Sequence, residues 1–231
     1  MKYLFVMIVG LLLGAAGAGA VLYYNPLTES AAPEPAAADR ALHYDLPAQV
    51  LGVSLGERAL LPTLEARDTA LWEDTIDRTA LVGLVLQDDQ NRPAAIASRL
   101  LAGSASTDLL LHGVLLSDYW LLTLPDEGTL FVRVDTNVWP FLKRTLLPVW
   151  FLDRPWQGPV EYRPTAGPGA ANTAIVIGAT GRFSGVEGSA VERYRVTTLD
   201  RAAHKAEAVG ELHLHFFEPQ VTAEKATPGD G

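Results

Sequence analysis

The chain has 231 residues, 48% of them hydrophobic and 19% charged, with a net charge of −9 and no cysteine. An acidic chain lacks the clustered basic face that nucleic acid requires, and charge does not hold it to an anionic lipid surface. Without cysteine there is neither a disulfide nor a lipid-modified N-terminal thiol, so an exported domain depends on its core alone.

Lys2 is followed by an uncharged run from Tyr3 through Thr28, and the first acid is Glu29. As a helix, Tyr3 to Tyr24 reaches about 33 Å, close to the roughly 30 Å hydrocarbon core of a bilayer. Residues 1–24 therefore read as one N-terminal transmembrane helix, a signal-anchor whose Tyr23-Tyr24 pair suits the far interface. The same stretch also fits a cleaved signal peptide, with Ala18-Gly19-Ala20 as a small-x-small site. Positive charge on the N-terminal side predicts a single pass through the inner membrane, with the bulk of the chain periplasmic or otherwise extracytoplasmic. Asn25-Pro26 stops the helix, because the residue before proline avoids the α region.

Residues 25–41 are rich in alanine and proline and read as a linker. Residues 220–231 are polar with Pro228, Gly229 and Gly231, and read as a disordered tail. Residues 42–219 between them suit one domain in size. Its dominant signal is β: Ala80 to Leu86, Ala94 to Leu101, Asp108 to Leu116, Tyr119 to Leu124, Thr129 to Asp135, Ala190 to Thr198 and His204 to Phe217 all read as strands. Pro125-Asp126-Glu127-Gly128 marks a hairpin, and in Phe131 to Asp135 the even positions are apolar while Arg133 and Asp135 share the other face. The fold class is mainly β, an antiparallel barrel of about eight strands behind the N-terminal helix. Leu60 to Thr79 reads as a short helix or a loop.

Val138 to Trp156 gathers Trp139, Phe141, Trp150, Phe151 and Trp156, but Pro140, Pro148 and Pro155 break any long helix or central strand. An irregular cover over one end of the sheet is expected. Trp139, Phe141, Trp150 and Phe151 are the candidates for lining an apolar ligand pocket; the same residues also serve as a plain apolar lid.

Ile175-Val176-Ile177 reads as a buried strand. It is followed by Gly178-Ala179-Thr180-Gly181-Arg182-Phe183-Ser184-Gly185-Val186-Glu187-Gly188. Gly178, Gly181, Gly185 and Gly188 allow positive φ, a bulge or close strand approach, and Phe183 sits between two tight positions. This string resembles the glycine-rich turn of the allene oxide cyclase and dirigent superfamily, over Thr173 to Phe217 and with Ala179 where that family has a second glycine. The resemblance implies an eight-stranded antiparallel barrel. It carries no catalytic residue onto this chain, and fold alone does not assign function.

Along Glu211-Leu212-His213-Leu214-His215-Phe216-Phe217, period two puts Glu211, His213 and His215 on one face. Two histidines at i and i+2 with a carboxylate are weak metal candidates; a solvated strand face explains them as well, and no metal or other cofactor is expected. His112 stands alone among leucines. Gly178 to Gly181 lacks the Lys-Ser/Thr and helix of a phosphate loop, and Ser184 and Ser189 lie in no nucleophile motif. Asp88-Asp89 and Asp126-Glu127 are turn acids. The expected function is therefore a membrane-tethered envelope protein whose barrel binds a protein partner or a small apolar molecule, self-association included, without catalysis. Two alternatives stand: a cyclase- or isomerase-like enzyme on a hydrophobic substrate, and a structural accessory subunit of an envelope assembly. The barrel interior discriminates them. A sealed core favours contact functions, and an open cavity with buried polar groups favours catalysis.

Overall fold

In the computed structural model the described residues are 2–29, 32–34, 38–46, 79–152, 154–200, 202–203 and 205–217. Helix α1 (Lys2–Tyr24) carries no acid and buries none of its residues, and it is long and apolar enough to cross a membrane. Asn25 ends it and starts the next turn, Pro26–Glu29: its side-chain carbonyl accepts from the Leu27 amide at 3.1 Å.

Ten strands follow: β1 (Arg40–Asp45), β2 (Thr79–Gln87), β3 (Pro93–Gly103), β4 (Leu115–Leu124), β5 (Gly128–Asn137), β6 (Trp156–Tyr162), β7 (Thr165–Gly167), β8 (Ala174–Ala179), β9 (Glu187–Asp200) and β10 (Lys205–Phe217). Each pairing is antiparallel. The path β1-β2-β3-β4-β5-β8-β9-β10 returns to β1, so the sheet closes into an eight-stranded barrel, as the strand pattern predicts. Between β5 and β9 three short strands share the wall. β8 pairs with β9 only at Ala174↔Ala190 and Ile175↔Ser189, β6 pairs further along β9, and β7 pairs with the end of β5.

Register puts the β2–β3, β4–β5 and β8–β9 turns at one end of the barrel, the turn end. At the other, the cap end, lie the β3–β4 loop and the helical segment α2 (Trp139–Phe141), a π-helical stretch (Leu142–Leu146) and α3 (Leu147–Leu152). Phe141, Leu146 and Val149 of this segment enter the core, so the cover expected from the aromatics is a proline-punctuated helix.

Three expectations change. Asp108 to Leu116 is a loop up to Leu115, because the Asp108 carboxylate accepts from the Leu110 amide at 2.8 Å and the Leu111 amide at 3.2 Å, turning the chain instead of extending it. Ile177 is 53% exposed rather than buried: Phe131 pairs with Gly178 and Val132 with Val176, which leaves Ile177 as the extra residue of a bulge. The Ala/Pro segment already enters β1 at Arg40, Ala32 is buried, and Glu34 pairs with Arg163 at 3.1 Å, so its described part lies along the barrel. The reading of Leu60 to Thr79 falls outside the described residues up to Thr79, where β2 begins, and the tail 220–231 lies wholly outside them.

Candidate functional site

Strand alternation sends Tyr44, Arg99, Asp118, Trp120, Thr136, Glu192 and Tyr194 inward from five strands, β1, β3, β4, β5 and β9. Arg99, Asp118 and Glu192 are at most 3% exposed. The Arg99 guanidinium donates to Asp118 Oδ2 from Nε at 2.8 Å and from Nη2 at 2.5 Å. It donates to Glu192 from Nη1 at 2.8 Å and from Nη2 at 3.0 Å. Its carbon lies 4.5 Å from the centroid of the Trp120 ring, a cation–π stack on the fourth side. The Tyr44 hydroxyl donates to Glu192 Oε1, and the Thr136 hydroxyl donates to Asp118 Oδ2 at 3.3 Å. Thr165 on β7 accepts from the Glu192 amide at 2.8 Å, tying the short strand to this layer. Gly210 makes room for it: a Cβ there would overlap the Tyr44 ring.

One cation faces two carboxylates here, so full ionisation would leave a net negative charge in a low-dielectric interior. Burial pushes the Asp118 carboxyl up to about 6 against the pull of Arg99, and with Asp118 protonated the layer is neutral. Burial opposes the Arg99 charge, but Asp118 and Glu192 outweigh it and hold its pKa well above the usual value. Burial, reinforced by the negative charge of Glu192, raises Tyr44 and Tyr194 well above 10, so both stay neutral hydroxyls.

A raised acid gives stability that is present at low pH and lost as pH rises from the unfolded value near 4 through about 6. The wild type is therefore expected to lose about 1 kcal/mol relative to Asp118→Asn between pH 5 and 7.5. Urea unfolding of both chains at the two pH values measures this; parallel pH profiles would mean that Asp118 ionises as freely when folded as when unfolded.

Asp118 Oδ1 and the Trp120 indole nitrogen form no hydrogen bond of regular geometry, though the Trp120 N–H still acts on the Asp118 carboxyl and lowers its pKa slightly against burial. Two surface cavities of about 190 and 70 Å³ lie among the described residues; Tyr194 borders the smaller, and none of Tyr44, Arg99, Asp118 and Glu192 lines either of them. Tyr44, Arg99, Asp118 and Glu192 are each at most 3% exposed among the described residues.

The residues predicted from sequence fall into separate places. Phe141 is core, edge-on to Tyr162 at 5.7 Å and to Tyr194 at 6.2 Å. Trp139 and Trp150 are half-buried, and Phe151 is 82% exposed, so the four do not converge on one cavity. In the glycine turn, Gly181 and Gly185 have φ of +64° and +77°, Gly178 faces the Phe131 ring, and Gly188 abuts the His215 carbonyl. Phe183 is buried against Phe216 with ring centroids 5.5 Å apart.

Glu211, His213 and His215 do share the outward face of β10. Glu211 is occupied by Arg193 at 2.6 Å, His213 at 3.2 Å and His43 at 3.8 Å. Arg193, chiefly, outweighs burial and holds the Glu211 carboxyl below its usual range. His215 turns instead to Asp39 at 3.7 Å. No group of three or more metal-ligating side chains occurs among the described residues. His112 sits exposed in the β3–β4 loop, and His204 lies outside the described residues.

The barrel surface divides in two. On β2, β3 and β4 the outward positions Leu81, Gly83, Val85, Ile96, Ser98, Leu100, Ser117, Tyr119, Leu121 and Thr123 carry no charge. Leu81 faces Leu100, Val85 faces Ile96, Leu100 faces Tyr119, and Leu121 faces Phe131 on β5, so the apolar groups join across the strands. Ile96 is 62% exposed. The opposite wall, β6, β9, β10 and β1, carries Glu161, Arg193, Arg195, Glu207, Glu211, His213 and His43. Sequence reasoning missed both features, since it takes charged strand residues as outward and leucines as inward.

No protein-family model matches the chain, and no curated protein compared with it matches either.

Proposed function

We propose that this protein works by contact: a membrane-tethered envelope barrel, exported beyond the inner membrane, whose uncharged face docks a second copy of the chain. The observation that carries this is the continuous apolar wall on β2–β4. A wall this apolar on an otherwise charged surface marks a protein interface. The near-complete burial of Arg99, Asp118 and Glu192 supports the same reading over a catalytic one. Copies anchored in one bilayer share an orientation, and their side walls meet about a twofold axis along the membrane normal, which leaves both anchors in the same membrane.

Ser98 sits within this wall, opposite Leu121, and the chain has no native cysteine to compete; Ser98→Cys is therefore expected to form a disulfide-linked dimer in membranes under mild oxidation. Arg195→Cys on the charged wall is expected to stay monomeric. Monomer from both variants, with a monomeric mass for the wild type in mild detergent, would overturn the docking. The same Ser98→Cys chain reports location: a membrane-impermeant maleimide should label it from outside the inner membrane, and labelling only after lysis would place the barrel inside.

The enzyme reading, a cyclase- or isomerase-like barrel on a hydrophobic substrate, keeps one observation in its favour, the buried Asp118 Oδ1 without a hydrogen bond of regular geometry within the charged layer. Mass spectrometry of the purified full chain tests it: an apolar molecule retained by the wild type and lost in Glu192→Gln would favour that reading.

A further inference from the structure

We infer that the cap end of the barrel rests on the bilayer, with Leu109-Leu110-Leu111 and Phe151-Leu152 seated in the lipid interface. The inference rests on α1 crossing the membrane. Four ties then fix the barrel to the end of that helix. Asn25 Nδ2 donates to the Leu110 carbonyl at 2.5 Å, Lys143 Nζ donates to the Tyr23 carbonyl at 3.2 Å, and Asn137 Nδ2 donates to the Thr28 carbonyl at 2.9 Å. Glu29 pairs with Lys143 and, at 2.5 Å, with Arg144. Lys143 is only 2% exposed, so this junction is a packed joint and not a loose tether.

Tyr23 and Tyr24 mark the far interface if α1 spans the bilayer, so a loop bonded to Asn25 lies within about one helical turn of that plane. The loop tip there is apolar and uncovered: Leu109, Leu110 and Leu111 are 38%, 55% and 53% exposed, and Phe151 and Leu152 are 82% and 64%. The turn end has the opposite chemistry. Its turns hold Asp88, Asp89, Gln90, Asn91 and Arg92, then Asp126 and Glu127, then Arg182 and Glu187. The cap end also carries the charged β9–β10 turn with Asp200 and Lys205, but the loop tied to Asn25 is apolar at its tip, the arrangement of a domain seated on lipid through leucine and phenylalanine side chains. Attachment by apolar burial also suits a chain of net charge −9, which anionic headgroups repel.

The absence of native cysteine permits single-site labelling of the full chain. Leu110→Cys, Phe151→Cys, Asp89→Cys and Leu12→Cys, each carrying an environment-sensitive fluorophore, are reconstituted in phosphatidylcholine vesicles with shallow or deep spin-labelled lipid. The expected result is blue-shifted emission at 110 and 151, quenched by shallow spin labels several-fold more than at 89, with 12 quenched by the deep label. Solvent-like emission at 110 and 151 while 12 is quenched would overturn the seating and leave the anchor standing. Blue-shifted but unquenched emission would put protein, not lipid, on these residues and overturn it equally. No quenching at 12 would remove the anchor, and the seating with it. Failure of the twofold docking, by contrast, leaves these four readings unchanged.

Discussion

Replacing Arg99 with methionine is expected to destabilise the barrel by about 3–5 kcal/mol, because it strands two carboxylates that only the guanidinium compensates. Methionine keeps much of the volume, so the loss reports charge rather than a cavity. Asp118 and Glu192 would then face each other without the Arg99 cation, with the Tyr44 and Thr136 hydroxyls still donating to them. Trp120, stacked on Arg99, provides a fluorescence signal at the site, so urea unfolding of the full chain in detergent measures the change. Should Arg99→Met fail to fold, Arg99→Lys retains the charge but loses the fork, and an intermediate loss is expected. A loss below about 1 kcal/mol for methionine would mean that water already compensates the carboxylates.

The second large effect belongs to Gly181. Its φ is +64°, and a Cβ would meet the Glu127 carbonyl oxygen and lie 2.9 Å from the Gly128 Cα. Two turns touch here backbone to backbone: the Arg182 amide donates to the Glu127 carbonyl at 2.7 Å, and the Thr180 amide donates to the Thr129 carbonyl at 2.8 Å. Neither obstacle is the end of a flexible side chain that could swing aside. Gly181→Val is therefore expected to cost about 3 kcal/mol, a left-handed backbone penalty plus displacement of the neighbouring turn. Gly185 also has positive φ but opens onto free space, so Gly185→Val is expected to cost only about 1–2 kcal/mol. Thermal unfolding of the two variants ranks them; equal losses would mean that the close approach at Gly181 carries no weight.

Much of the fold is legible because its signals are local. The Pro125 to Gly128 hairpin, the alternation from Phe131 to Asp135 and the apolar run to Tyr24 each depend on residues a few places apart. The Asp108 to Leu111 stretch misleads because one aspartate side chain, bonding to its own backbone, overrides an apolar pattern that otherwise suits a strand. The charged layer is hidden for another reason. Arg99 and Glu192 are 93 residues apart, and only barrel closure brings them together. Parity does hold a trace: Asp118 shares its face with Trp120, Leu122 and Leu124, and Arg99 shares its face with Ala95, Ala97 and Leu101. In β3 the outward Ile96 and Leu100 are bulkier than the inward Ala95 and Ala97, which disguises which face is core. Small alanines on that inner face leave space for the guanidinium stack. The aromatic segment was legible as a cover but not as a helix, since Pro140 falls in the first turn of α2, where proline is tolerated, and Pro148 lies just past the π-helical stretch that interrupts the regular backbone ladder.

The patched wall between β5 and β9 gives the barrel a grain. Six of its staves are long; β1 has six residues and meets β2 through the single pair His43↔Gln87, and the stave between β5 and β9 is spliced from β6, β7 and β8, with β8 gripping β9 through two residue pairs alone. Cutting a closed cylinder at any long stave breaks many ladder bonds at once; parting it at the splice breaks few. Breathing of the barrel should therefore begin there and at the β1–β2 seam, with the amides of β8 exchanging with solvent well before those of β4 and β10. The splice also borders Thr165, whose hydroxyl steadies the Glu192 amide, so one of the two seams that yield first leads water to the buried charges.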